Sequence, residues 1–169
     1  MNHLEFINLV QPFKDKLYRL AHRLLVSTEE AEDVTQEMLL RLWTKKEILN
    51  QYKSVEAFAM TMTKNYCLDQ LKSKRASHLK IEKADFVDNS TQLSNQLESN
   101  DSLNWIDKIM KQLPEQQKLV IQLRDIEQYD FNKIAEMLDM NETAVRVTLS
   151  RARKSIREKM LKAHEYGIK

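Results

Sequence analysis

The chain has 169 residues, 42% of them hydrophobic and 31% charged, with a net charge of only +2. One Gly and two Pro leave few hairpin turns, which disfavours an all-β fold, and no apolar run approaches the ~20 residues of a membrane helix. The N-terminus lacks a signal-peptide pattern, and the single Cys67 excludes an intramolecular disulfide, so a reduced cytoplasm fits.

From the N-terminus, apolar residues recur at Phe6, Val10, Phe13, Leu17, Leu20, Ala21 and Leu24, which is helical spacing. Ser27 or Thr28, followed by Glu29 and Glu30, reads as a second helix start with acids in its first turn. That helix continues through "AEDVTQEMLLRLW", with Val34, Met38, Leu39, Leu42 and Trp43 on one apolar side. Asp33, Gln36, Glu37 and Leu40 fall together elsewhere, at i, i+3, i+4 and i+7. This patch is either a solvated face with one stray Leu or a docking surface for a partner helix.

"ILNQYKS" reads as a loop, and a third helix is expected from about Val55 to Lys74. Met60, Thr63, Cys67 and Leu71 form its core stripe. Phe58, Met62, Asn65, Asp69 and Lys72 form another stripe. Aromatic and amide groups suit stacking and edge-pairing with unstacked bases, and nearby lysines suit phosphates. The plain alternative is a core Phe58 and Met62 beside a solvated Asn65 and Asp69.

"DFVDNSTQLSNQLESN", residues 85–100, is polar with weak periodicity and reads as a tether. It would reach some 50–60 Å if extended. "LNWIDKIMKQL" is then a short helix, and Pro114 takes a first helical position before "PEQQKLVIQLRDI". Asp130 is placed to cap "FNKIAEML", whose Ile134, Ala135 and Leu138 face inward, and "DMNE" makes a tight turn.

In the last helix Val145, Leu149, Ala152, Ile156 and Met160 form a narrow core stripe. Thr143, Val147, Ser150, Arg151 and Lys154 face away, flanked by Arg146 and Arg157. Short helix, turn and long basic helix is a helix-turn-helix pattern. Its N-terminal outward residues Arg146, Val147 and Ser150 would reach base edges, while Arg151, Arg153 and Lys154 would hold phosphates. A membrane-surface helix would need bulkier residues along its apolar face than this stripe supplies.

Charge is placed unevenly. Ser27–Glu37 has five acids and no base. Lys64–Lys80 has five bases against Asp69, and Arg146–Lys162 has seven against Glu158. Two separated basic blocks point to a polyanion more strongly than the net charge does. The fold expected is all-α: two small helical domains, residues 1–80 and 101–169, joined by a polar linker over 81–100. The second is a helix-turn-helix domain, winged-helix-like or homeodomain-like, with four helices. His3, His22, His78 and His164 lack metal-ligand spacing, and no Gly-rich phosphate loop is possible with Gly167 as the only Gly. No metal, cofactor or catalytic residue is therefore expected, and a helical enzyme is disfavoured.

Three fragments in this order resemble a bacterial RNA polymerase sigma factor of the extracytoplasmic-function (ECF) subfamily. "AEDVTQEMLLRLW" resembles the core-binding helix of the family's first domain, and "FAMTMTKNYCLDQLKSKR" its promoter-melting and −10 segment. "LPEQQKLVIQLRDIEQYDFNKIAEMLDMNETAVRVTLSRARKSIRE" resembles the second domain, which reads the −35 element. The resemblance implies that Asp33, Gln36, Glu37 and Leu40 dock on the polymerase clamp. It implies −10 contacts by Phe58, Asn65 and Asp69, with Lys72, Lys74 and Arg75 on phosphates. It implies −35 contacts by Arg146, Val147, Ser150 and Arg151, beside Arg153 and Lys154.

The partners so implied are core RNA polymerase (clamp and flap), promoter DNA and an anti-sigma factor that can itself be membrane-anchored. The chain itself would not insert into a membrane, and no C-terminal sensor module is expected. Phe58-Ala59 stands where the family usually has Trp-Leu, and Met62-Thr63 replaces a commoner Ile-Ala, so looser packing is expected there. Val147 and Thr148 occupy places often polar or basic, and Ser150 a place often bulkier, so the −35 sequence cannot be copied from relatives. The competing readings are a dimeric helix-turn-helix regulator that binds DNA alone and a pure interaction protein.

Overall fold

The computed structural model describes residues 1–84 and 101–165. Among them every regular element is helical. The predicted 81–100 linker therefore lies outside the described residues from 85 onward.

The N-terminal unit holds α1 (His3–Val10), α2 (Lys14–Leu25), α3 (Thr28–Thr44) and α4 (Val55–Ala84), with a 3₁₀ helix over Lys46–Gln51. Asn2 caps α1 through a capping box: Glu5 N–H donates to Asn2 Oδ1 at 2.9 Å, and Asn2 N–H donates to Glu5 Oε2 at 2.8 Å. The single periodic run from Phe6 to Leu24 is two helices, broken after Val10 at Gln11–Phe13. Pro12 stands in that break; it has no N–H to donate and disfavours helix at the residue before it.

Ser27 caps α3, accepting from Glu30 N–H at 3.3 Å. Leu17, Leu20, Val34, Met38, Leu42, Met60 and Cys67 are buried between α2, α3 and α4. "ILNQ" is 3₁₀ helix rather than loop. The third helix runs ten residues past the expected Lys74. "SKRASHLKIEKA" contains no Gly or Pro and several strong helix formers, so nothing stops it. Of the residues where looser packing is expected, Ala59 and Thr63 are fully buried, with the Thr63 hydroxyl donating to Ala59 C=O at 2.8 Å, while Phe58 and Met62 are half-buried.

The C-terminal unit holds α5 (Asp101–Gln112), α6 (Glu115–Ile121), a π turn over Gln122–Ile126, α7 (Phe131–Leu138) and α8 (Glu142–Glu165). Pro114 is the cap of α6, with extended ψ of 149°, rather than its first helical residue. Asp130 holds the cap position of α7 but its side chain makes no capping bond. The turn from α7 into α8 uses Asp139 at φ 52°, and Asn141 Oδ1 accepts from Ala144 N–H at 2.7 Å. Val26 and Gln128 also adopt positive φ, so three non-Gly residues serve positions that glycine usually fills.

Val145, Leu149 and Ala152 are buried as expected, Ile156 is half-buried, and Met160 is 50% exposed. Ile134 and Met137 are the buried pair of α7, with Ala135 and Leu138 half-buried.

Candidate functional site

The patch on α3 exists because the helix buries its other side. Ala31, Val34, Met38 and Leu42 are in the core, which leaves Asp33, Gln36 and Leu40 exposed, Leu40 by 57%. Glu37 is half-buried and accepts from Arg41 Nε at 2.7 Å. Arg41 in turn lies over the Tyr66 ring at 4.8 Å. Surface helix pairs of this kind contribute little stability, but they hold Glu37 in one orientation.

On α4, Asn65, Asp69, Lys72, Lys74 and Arg75 are all exposed along the helix beyond the core stripe. Phe58 is half-buried and stacks on Tyr52 with centroids 4.0 Å apart and 20° between planes. Lys45 lies 5.7 Å from the same ring. Lys74 is paired with Glu30 of α3, so it is less free than Lys72 and Arg75. Cys67 is fully buried, and burial pushes its thiol up to about 12, which leaves it protonated and unreactive at neutral pH.

On α8 the six expected residues Arg146, Val147, Ser150, Arg151, Arg153 and Lys154 are all exposed. They are not equivalent. Arg153 is bound in a fork to Asp125 of the π turn, Nη2 at 2.6 Å and Nε at 3.1 Å. Lys154 makes only a 4.0 Å approach to Glu158. Arg146 lies over the Phe131 ring at 4.2 Å, and Arg124 lies over the same ring at 4.3 Å. The inward stripe that spacing gives α7 is Ile134, Ala135 and Leu138, and nothing in it points to a contact between Phe131 and Arg146.

The two units also touch. Arg19 of α2 donates to Glu127 through Nε at 2.7 Å and Nη2 at 2.8 Å, and Glu127 is buried. The Glu127 bond raises the Arg19 pKa. Arg23 donates to Gln122 at 3.0 Å and to Asp107 at 3.2 Å. Lys64 Nζ reaches Met137 C=O at 2.8 Å, which takes this lysine out of the free basic block. Tyr52, Phe58 and Thr61 face Asn132, Lys133 and Glu136 across a cleft beside this contact.

Glu56 is the hub, accepting from Lys16 at 2.8 Å and from Tyr129 at 2.7 Å. Burial pushes its carboxyl upward, but those two hydrogen bonds outweigh it and hold the pKa below its ordinary 4.5. Burial and the same Glu56 bond raise the Tyr129 phenol above its ordinary value.

The sign of the acid response follows. Because the folded pKa of Glu56 is depressed, its contribution is complete above pH 4.5 and is lost as pH falls through the lower folded value. Wild-type protein is therefore expected to lose more stability than Glu56→Gln in thermal melts taken on the acid side of that value. Parallel acid limbs would remove the pairing from the account.

Among the described residues no His, Cys, Asp and Glu group is arranged to hold a metal, and no helix is long and apolar enough to cross a membrane. The chemistry these surfaces offer is recognition by charge, stacking and hydrogen bonding.

Two family models match the chain, Sigma-70 region 2 over residues 9–77 and Sigma-70 region 4 over residues 103–156. The ECF RNA polymerase sigma factor SigW of Bacillus subtilis is 22% identical, with 92% of this chain and 88% of that protein covered. The RNA polymerase sigma-E factor of Streptomyces coelicolor is 24% identical over 94% and 87%. Among solved structures, the sigma factor RpoE bound to the anti-sigma factor NepR from Bartonella quintana shares the fold. Its TM-score is 0.74 at 21% identity, covering 92% of this chain and 96% of that one. CnrH in complex with the cytosolic domain of CnrY gives a TM-score of 0.68 at 19% identity, covering 96% and 90%.

Proposed function

The chain belongs to the sigma-70 family of RNA polymerase sigma factors, as an ECF-type member, and from that premise we propose how its surfaces divide the work of initiation. As a sigma factor it binds core RNA polymerase, directs it to promoters through −10 and −35 elements and assists melting, without covalent chemistry of its own. The domain that docks and melts occupies residues 1–80 and the −35 reader 101–169, with the linker, 81–100, beginning within the last turn of α4, which runs to Ala84.

Asp33, Gln36, Glu37 and Leu40 dock on the polymerase clamp. An exposed Leu in an acidic and amide setting suits a partner with an apolar seat and basic rim. Phe58, Asn65 and Asp69 take the unpaired −10 strand, and Lys72, Lys74 and Arg75 follow its phosphates. Engaging Lys74 requires releasing it from Glu30. Arg146, Val147, Ser150 and Arg151 enter the −35 major groove beside Lys154. Arg153, held by Asp125, acts on phosphate only if that fork opens.

The factor works in the cytoplasm. An anti-sigma factor controls it, a reading supported by the shared fold with two sigma factors solved in such complexes.

The observation that carries this assignment is one coincidence: the matched regions, 9–77 and 103–156, are the segments that bear the separate exposed faces. The test is to add purified chain to core polymerase and ask for promoter-specific transcripts. Changing Gln36 and Glu37 together to Ala should weaken polymerase binding roughly 10-fold or more and leave the helical signal intact. Unchanged affinity for core removes the α3 assignment.

A further inference from the structure

We propose that Phe131 is a positioning residue for base reading: its ring holds the Arg146 guanidinium in the orientation in which it meets the −35 duplex. The inference rests on the reading of Arg146 as a base contact.

Phe131 is the first residue of α7, directly after the Asp130 cap position, and is half-buried against the C-terminal core. Packing on that core restrains the ring. Arg124 lies over the ring at 4.3 Å and is itself tied down, its Nη1 donating to Tyr129 C=O at 2.9 Å. Arg146, on the first turns of α8, lies over the ring at 4.2 Å. It is exposed, and no ion pair to it is found among the described residues, in contrast to Arg153, which Asp125 binds in a fork.

A free arginine samples many rotamers, and freezing one on binding lowers affinity. A guanidinium stacked on an aromatic face has lost part of that freedom already, and its edge N–H groups stay available. That edge is what a bidentate contact to guanine O6 and N7 uses. The ring stands at the N-terminal end of the first helix of the motif and meets the second through Arg146. The first helix of such a motif crosses the DNA backbone while the second enters the groove. Two guanidinium groups gathered there add positive charge at the same spot.

The test uses holoenzyme rebuilt from core polymerase and full-length chain, on a −35 sequence selected from a randomised pool by the wild-type holoenzyme. Binding is measured on that sequence and on every single-base change in it. Phe131→Leu keeps an apolar side chain but removes the stacking face. It should lower discrimination about 3- to 10-fold at the one position that Arg146→Ala also relaxes. Phe131→Tyr should keep discrimination, and Phe131→Leu added to Arg146→Ala should bring no further loss there.

Wild-type discrimination in Phe131→Leu, or full additivity with Arg146→Ala, overturns the proposal while leaving Arg146 as a base reader. An equal loss at all −35 positions also overturns it, because it marks Phe131 as structural only. If Arg146→Ala itself changes no position selectively, the base-reading assignment falls, and this proposal with it.

Discussion

Val145→Asp is expected to unfold the C-terminal unit and abolish −35 recognition while α1–α4 stay helical. Val145 is fully buried on the inner stripe of α8, between Leu149, Ala152 and the helices of the same unit. Placing a carboxylate there without a cationic partner costs several kcal/mol. A unit of about 65 residues has only roughly 3–10 kcal/mol of stability in total. Limited proteolysis should then cut the variant beyond residue 101 and spare the N-terminal helices. Val147→Asp places the same charge only two residues on, at an exposed position, and should melt within about 0.5 kcal/mol of wild type. Indistinguishable melting of all three proteins would mean that α8 does not seat on the stripe described.

Arg146→Ala should reduce promoter affinity by about 1–3 kcal/mol, roughly 5- to 150-fold, with the loss concentrated at one −35 position. Arg146 is exposed near the start of the helix that would enter the groove, and its side chain carries no part of the buried core. The melting temperature should hardly change, which separates lost recognition from lost structure. A loss spread evenly over all −35 sequences, with a salt dependence reduced by about one phosphate contact, would make Arg146 a backbone contact instead.

The helical faces were readable because each depends on residues only three or four apart. Val145, Leu149 and Ala152 had to turn inward together, and Arg146, Val147 and Ser150 outward. The same rule failed toward the far end of α8: Met160 keeps the spacing of the stripe but stands 50% exposed. It also failed at Pro12, where a continuous apolar period hides a broken backbone.

Arg19 and Glu127 are separated by 108 positions, and Arg23 and Gln122 by 99. No local period links such pairs, so contacts between the units were outside what spacing can reveal. A basic row at Lys16, Arg19 and Arg23 was the only available signal, and it reads equally well as a solvated face.

The meeting of α4 with α7 sets a limit on how the molecule can be used. Packed helices run about 8–10 Å apart. The −10 and −35 elements are named for positions 25 base pairs apart, which at about 3.4 Å per pair is some 85 Å of duplex. On the proposed roles, a chain in which Lys64 touches Met137 and Arg19 grips Glu127 would hold α4 and α8 closer together than the two elements stand. Promoter engagement on those roles would include the work of parting these two surfaces, and the affinity observed would be the intrinsic affinity reduced by that work.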